Sequence, residues 1–297
     1  MTGRRCALPG PVGACIAIAL SVLALLPAMS AAAPVSAVDD LGRTVRLPAP
    51  AARVISLSPH VTELLFEIGA GSQVVAVERN SDHPPAARAL PALSALPRPD
   101  PERLLAFAPD LVVLWGAGIT PDRLRRLEAF GLAVFVSEPR TLDAIADTAQ
   151  RLGALTGHTQ RADALATATR TRIAALRARH AGRGEVPVFV QAWSKPLMTL
   201  SDRDLVGDAL AACGAKNVFG ALPQAAAEVD PEAVLRRAPR LVIAFDAQAG
   251  RRLWDGLRVL APVGPIAYLP ADRALQRPTP RALDALEALC AGIDQIR

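Results

Sequence analysis

The residues with chemistry to offer are few: four histidines, three tryptophans, a polar loop and a tripeptide that occurs twice. His60 follows an apolar run and His83 sits in the loop Asn80-Ser81-Asp82-His83-Pro84-Pro85, so both are placed to face a cleft. With Asp82 they would make part of a metal site, but a complete site wants three or four ligands and no further partner emerges. No metal site is expected. His158 and His180 fall in helical or linker context and read as solvated. The chain has no Gly-x-Ser-x-Gly elbow, no Gly-rich phosphate loop and no His-Glu-x-x-His. The usual signatures of acyl transfer, nucleotide binding and zinc hydrolysis are therefore missing, and no catalytic residue is assigned.

Binding chemistry is better represented. Asn80, Ser81 and Asp82 follow a strand, and loops at the carboxyl ends of parallel strands are where α/β proteins hold ligands. Trp115 ends another strand. Gln191-Ala192-Trp193-Ser194-Lys195-Pro196-Leu197-Met198 follows a third, and a Trp and a Met there suit the apolar face of a large ligand. Trp115 and Met198 read equally well as core; Trp193, beside Ser194 and Lys195, is the better cleft wall. Arg277, in Leu275-Gln276-Arg277-Pro278, is a further candidate. Two tripeptides, Asp100-Pro101-Glu102 and Asp230-Pro231-Glu232, each read as a helix start: Asp caps, Pro takes the first turn and Glu complements the dipole. That explains Asp and Pro fully. Glu102 and Glu232 would also stand exposed and rigidly placed, a pair of acidic knobs that a surface bearing arginines can read together.

These residues need elements to position them. Val38 to Leu47 reads as a small hairpin closed by Pro48. An α/β rhythm then begins. Val54-Ile55-Ser56-Leu57 is a strand, and Ser58 caps the next helix, with Pro59 at its first position. Val61, Leu64, Leu65 and Ile68 mark one apolar helix face, and Gly69 stops it. Val74 to Val77, Leu111 to Leu114 and Ala133 to Val136 are strands, with a helix from Pro121 to Phe130. A long helical stretch from Thr141 to about His180 is broken near Gly157 and ended by Gly182-Arg183-Gly184. The rhythm restarts with strands at Val186 to Val190 and Leu241 to Phe245 and helices near Asp204 to Ala212, Pro231 to Arg237 and Pro280 to Ile293. Such alternation predicts mostly parallel sheets covered on both faces.

The two halves are related. PERLLAFAPDLVVLW at 101–115 and PEAVLRRAPRLVIAF at 231–245 are identical at seven of fifteen positions. The expected organisation is a leader over 1–32, an N-terminal α/β lobe over 33–158, a linking helix over 159–181 and a C-terminal α/β lobe over 182–297.

Composition narrows the class. At 51% hydrophobic and 21% charged, the chain can bury a large core. Its net charge of +5 comes from scattered arginines without a run of like charge, so no nucleic-acid partner is expected. Arg4 and Arg5, an apolar run from Val12 to Leu26, and small residues through Ala33 form a secretory leader. The run is roughly 15 residues, short of the roughly 20 a span requires. Ser30-Ala31-Ala32 offers a cleavage box, which would start the mature chain near Ala33. Cys6 and Cys15 would leave with the leader. Cys213 and Cys290 remain as an even pair in an oxidising compartment, either bridged or two separate buried thiols.

DDLGRTVRLP, RVISLSPHVTELLFEIGAG, NSDHPP, the two Pro-Glu repeats, ACGAKNVF and ALEALCAGI together resemble the helical-backbone class of periplasmic binding proteins, which serves importers of cobalamin, ferric siderophores and haem. The likeness runs from Val38 to about Ile293 and is strongest to the cobalamin-binding members. It implies two lobes joined by one long helix with little hinge closure, and Glu102 and Glu232 docking on arginines of a permease. It also implies a Cys213–Cys290 disulfide, and Trp115, Arg277 and the Trp193 to Met198 segment near the cleft. Cleft aromatics of the family pattern stand here as Asn80, Leu96 and Ala226, which weakens stacking on a corrinoid. The expected role is a monomeric periplasmic protein without a cofactor that captures cobalamin and delivers it to an ABC importer permease in the inner membrane. Haem or a ferric siderophore is the alternative cargo. An exported metal-dependent hydrolase and an anchored sensor domain are the readings from other classes.

Overall fold

The computed structural model describes residues 2–3, 33–94, 99–117, 119–245, 247–260 and 267–297. Apart from residues 2–3, the leader over 1–32 lies outside the described residues, as does Leu96. Residues Pro34–Arg297 form one compact unit.

Short, mostly apolar runs make the strands of the first parallel sheet. After the antiparallel hairpin β1 (Val35–Val38) and β2 (Thr44–Leu47) come β3 (Val54–Leu57), helix α1 (Pro59–Glu67), β4 (Val74–Glu78), β5 (Ala92–Leu93), α2 (Pro101–Leu105), β6 (Leu111–Trp115), α3 (Pro121–Ala129) and β7 (Val134–Ser137). The five strands order as β5-β4-β3-β6-β7, and every pairing is parallel. Two helices follow, α4 (Leu142–Thr156) and α5 (Thr159–His180). Gly157 closes α4 in the left-handed conformation (φ 77°), where a Cβ would be strained. The two helices pack closely at Gly153, where an added Cβ would lie 2.3 Å from Ala162 Cβ.

The second half repeats the plan. It contains β8 (Val186–Gln191), β9 (Trp193–Ser194), β10 (Leu197–Leu200), α6 (Leu205–Ala212), β11 (Ala215–Asn217), β12 (Ala226–Glu228), α7 (Pro231–Arg236), β13 (Leu241–Ala244), α8 (Ala247–Leu260), β14 (Ala267–Pro270) and α9 (Pro280–Asp294). A parallel sheet orders as β11-β8-β13-β14, and a small antiparallel sheet as β12-β10-β9. The expected mostly parallel α/β architecture holds. The small antiparallel sheet and α8 are additions to it.

The sequence repeat is a structural repeat. Ala108 and Ala238, the matched residues before Pro109 and Pro239, share a positive φ of 43° and 45°. That conformation is uncommon for a residue with a Cβ. Two residues on, the matched backbone N–H groups reach the neighbouring strand entrance in the same way. Asp110 N donates to Arg53 O at 2.8 Å and Arg240 N to Pro187 O at 2.9 Å.

Alternating strand residues serve different cores. In the first sheet Val54 belongs to an inner cluster, while Ile55 and Leu57 pack outward against Leu124 and Leu127 of α3. In the second, Val188 and Val190 face inward and Phe189 packs outward against Phe219 and Trp254. The inner cluster is shared. It runs from Val61 and Leu64 of α1 through Leu152 and Ile173 to Leu210, Leu283 and Leu286. Both sheets are thus covered on both faces, and the halves are welded through α4, α5 and α9.

Cys213 at the end of α6 is bridged to Cys290 of α9, across 77 positions. Several local expectations are corrected. Ser58 does not cap α1; its hydroxyl is 2.6 Å from His60 Nδ1. Asp100 caps α2 by accepting from Glu102 N at 3.1 Å, but the matched Asp230 makes no side-chain cap of α7. His180 is not solvated: it is buried, with Nδ1 3.5 Å from Asp294.

Candidate functional site

The carboxyl ends of β3, β6 and β7 point at the second half and form one wall of a cleft of about 510 Å³. This wall carries Pro59, Trp115 and Ala117, with Glu138 and Arg140 at its edge. The opposite wall comes from the loop after β10 (Arg203, Asp204), from Ala225 and Ala226, and from the turn Arg273–Gln276 with Arg277. Trp115 is 52% exposed, an orientation no core residue adopts, so the core reading of this residue is set aside. Its indole also borders a side cavity of about 170 Å³ lined by Asn80, Glu78 and Ile119.

The expected binding residues are not all brought together. Asn80 lines the side cavity, and its amide donates to Glu78 at 3.1 Å. Ser81 is buried, and its hydroxyl pairs with Thr62 Oγ1 at 3.0 Å, so it faces the interior of the first lobe rather than the cleft. Trp193 is 59% exposed on β9 and lies opposite Met198 of β10 in the hairpin register. Neither is among the residues that border the cleft of about 510 Å³.

Arg277 does line the cleft, yet its charge is already engaged. Its Nη1 donates to Glu63 Oε1 at 3.1 Å and to Asp82 Oδ1. Glu63 is only 2% exposed and also accepts from Arg281 at 2.9 and 3.2 Å and from Thr279 Oγ1 at 3.2 Å. A buried carboxylate with this many donors is fully compensated. The cluster joins α1 and the Asp82 loop to the start of α9, and so ties the lobes beside the cleft floor. The hydrogen bond from Arg277, helped by its charge, holds the Asp82 carboxyl below the usual range. Glu63, Thr279 and Arg281 were not anticipated, although Arg273, Arg277 and Arg281 stand at intervals of four in the sequence.

His60 is buried at the cleft floor, with Nδ1 2.6 Å from Ser58 Oγ and Nε2 2.8 Å from Ser137 Oγ. Burial lowers its pKa to about 3, so the ring is neutral at physiological pH and both nitrogens are occupied. Such a group is a poor general base. Among the described residues no cluster of three or more His, Cys, Asp or Glu is placed to hold a metal. Glu102 and Glu232 are exposed on the first turns of α2 and α7, and neither carboxylate has an ion-pair partner among the described residues.

Two α/β lobes with repeated architecture, a shared core and an open cleft at the strand ends make the scaffold of a solute-binding protein. The chain belongs to the periplasmic binding protein family, whose model matches residues 54–252. It is 33% identical over 247 residues to the vitamin B12-binding protein of Vibrio cholerae serotype O1, covering 82% of this chain and 89% of that one. It is 33% identical over 238 residues to the vitamin B12-binding protein of Photorhabdus laumondii, covering 80% and 86%. The crystal structure of the periplasmic vitamin B12 binding protein of Vibrio cholerae superposes with a TM-score of 0.74 at 29% identity, covering 83% of this chain and 98% of that chain. A periplasmic heme binding protein from Pseudomonas aeruginosa gives 0.68 at 26% identity, covering 82% and 92%.

Proposed function

We propose that this protein captures a corrinoid in the inter-lobe cleft and delivers it, as a monomer, to an ABC importer permease in the inner membrane. The observation that carries the reading is the exposed indole of Trp115 on one wall of a cleft between two welded lobes. A large ligand with an apolar face is held by such a wall. The vitamin B12-binding relatives support the same cargo. Delivery draws on Glu102 and Glu232, exposed at matched positions of the repeat. Export follows from the leader over 1–32, cleaved near Ala33, which N-terminal sequencing of periplasmic protein tests.

The cleft chemistry favours a corrinoid over haem. Haem iron is held by His, Cys, Met or Tyr. His60 is the only such residue lining the cleft among the described residues, and both of its nitrogens are bonded. A hydrolase finds no support at the same place, since Ser58 is 1% exposed and its neighbouring histidine is a weak base.

The test is calorimetric titration of the mature protein with cyanocobalamin. One-to-one binding at micromolar affinity or tighter is expected, weakened by Trp115→Ala. Absence of heat at several temperatures, with saturable binding of haem or a ferric siderophore instead, would replace the cargo and leave the transport role.

A further inference from the structure

Four arginines face the cleft, and two are already neutralised. Arg140 pairs with Glu138 at 3.0 Å, and Arg277 with Glu63 and Asp82. Arg203 and Arg273 remain. Both are exposed, both belong to the second lobe, and neither guanidinium has a partner among the described residues. The carboxylates of the cleft are not available to them. Glu138 is held by Arg140, and Asp204 caps α6 by accepting from Val206 N at 2.9 Å. Burial pushes the Asp204 carboxyl up from its ordinary value.

The two walls therefore differ in kind. The first lobe offers Pro59, Trp115 and Ala117, with Arg140 and Glu138 paired at its edge. The second sets two uncompensated guanidinium groups beside Ala225 and Ala226. The ligand that matches this division has one broad apolar face and an anionic group on the opposite side. Arginine is suited to that group, because its planar fork meets two oxygens of a phosphate or carboxylate at once.

We propose that Arg203 and Arg273 bind the anionic group of the ligand, which in a corrinoid is the phosphodiester of the nucleotide loop. The cleft is then selective for phosphate-bearing corrinoids over phosphate-free ones. This inference rests on the corrinoid reading above and adds the residues that set selectivity within that class.

The experiment titrates the wild-type protein and the Arg203→Gln/Arg273→Gln variant with cyanocobalamin and with dicyanocobinamide, which keeps the ring system but lacks the phosphodiester, ribose and base. The double variant should bind cyanocobalamin roughly tenfold more weakly, the size of one partly solvated charge-assisted contact. Its affinity for dicyanocobinamide should be unchanged. Raising the salt concentration should weaken cyanocobalamin binding to the wild type more than to the variant. Arg203→Lys/Arg273→Lys should recover part of the loss, since it keeps the charge and loses the fork. Equal weakening of both corrinoids, or of neither, would overturn the inference while leaving the corrinoid reading intact. A wild-type protein that binds neither corrinoid removes that reading and the inference with it.

Discussion

Acid should destabilise this protein through His60, and the size of the effect follows from its surroundings. The ring is buried between Ser58 and Ser137, and burial lowers its pKa from 6.5 to about 3. In the unfolded chain it takes up a proton below about pH 6.5. Between about pH 6.5 and 3 the unfolded state thus holds a proton that the folded state refuses, so stability falls as pH falls. Above 6.5 neither state is protonated and the effect vanishes; below 3 both are, and the loss stops growing. At roughly 1.4 kcal/mol per pH unit, the loss at pH 5 is about 2 kcal/mol relative to neutral pH. His60→Gln removes the titration. It should cost about 1–2 kcal/mol at neutral pH, where one of the serines loses its partner. Urea unfolding followed by circular dichroism should show the two proteins converging as the pH drops toward 5. Parallel stability profiles for wild type and variant across that window would refute the argument.

Glu63→Ala removes the buried centre of the inter-lobe cluster. Arg277 keeps Asp82 and Arg281 is 39% exposed, so neither cation is stranded, and the expected loss is about 2–3 kcal/mol in urea unfolding rather than the larger cost of an orphaned buried charge. A loss below about 1 kcal/mol would show that the cluster does not hold the lobes. Replacing Cys213 and Cys290 by alanine opens a loop of 77 positions, and the chain-entropy model places the cost near about 4 kcal/mol. An unfolding midpoint indifferent to reductant would count against that figure. Changing both Glu102 and Glu232 to alanine should abolish corrinoid uptake by cells while leaving affinity in solution intact; an undiminished uptake rate would remove their docking role.

How much was legible depends on where the signal lies. Leu111–Trp115 and Leu241–Ala244 are unbroken apolar runs between turn residues, and Val54–Leu57 departs only at Ser56; such runs announce parallel strands. The β9, β10 and β12 strands have two to four residues, too short to show a period, so the small antiparallel sheet that carries Trp193 was not legible. Asp100 and Asp230 stand in the same tripeptide, yet only Asp100 caps, a difference that the shared local sequence does not carry. Trp115 was identifiable as a strand end. The role of Arg277 was not, since Glu63 and Asp82 lie 214 and 195 positions from it. Arg203 sits in a connection and Arg273 in a single short turn, and only the fold sets both in the cleft that Trp115 lines.

The placement of the inter-lobe cluster also sets an order of events in time. Glu63 belongs to the first helix of the described fold, and its donors Arg277, Thr279 and Arg281 follow it by 214 to 218 positions. In a chain that reaches its compartment N-terminus first, an interval separates this carboxylate from its donors. Throughout it the carboxylate stays in water, because the cations that accompany it inside have not yet arrived. The stretch that ends the wait leads directly into α9, whose Cys290 closes the covalent ring with Cys213. One short segment therefore completes the carboxylate's enclosure and the disulfide ring together. Because the same segment carries Arg273 and Arg277 of the cleft wall, an unfinished chain has no place to seize its cargo.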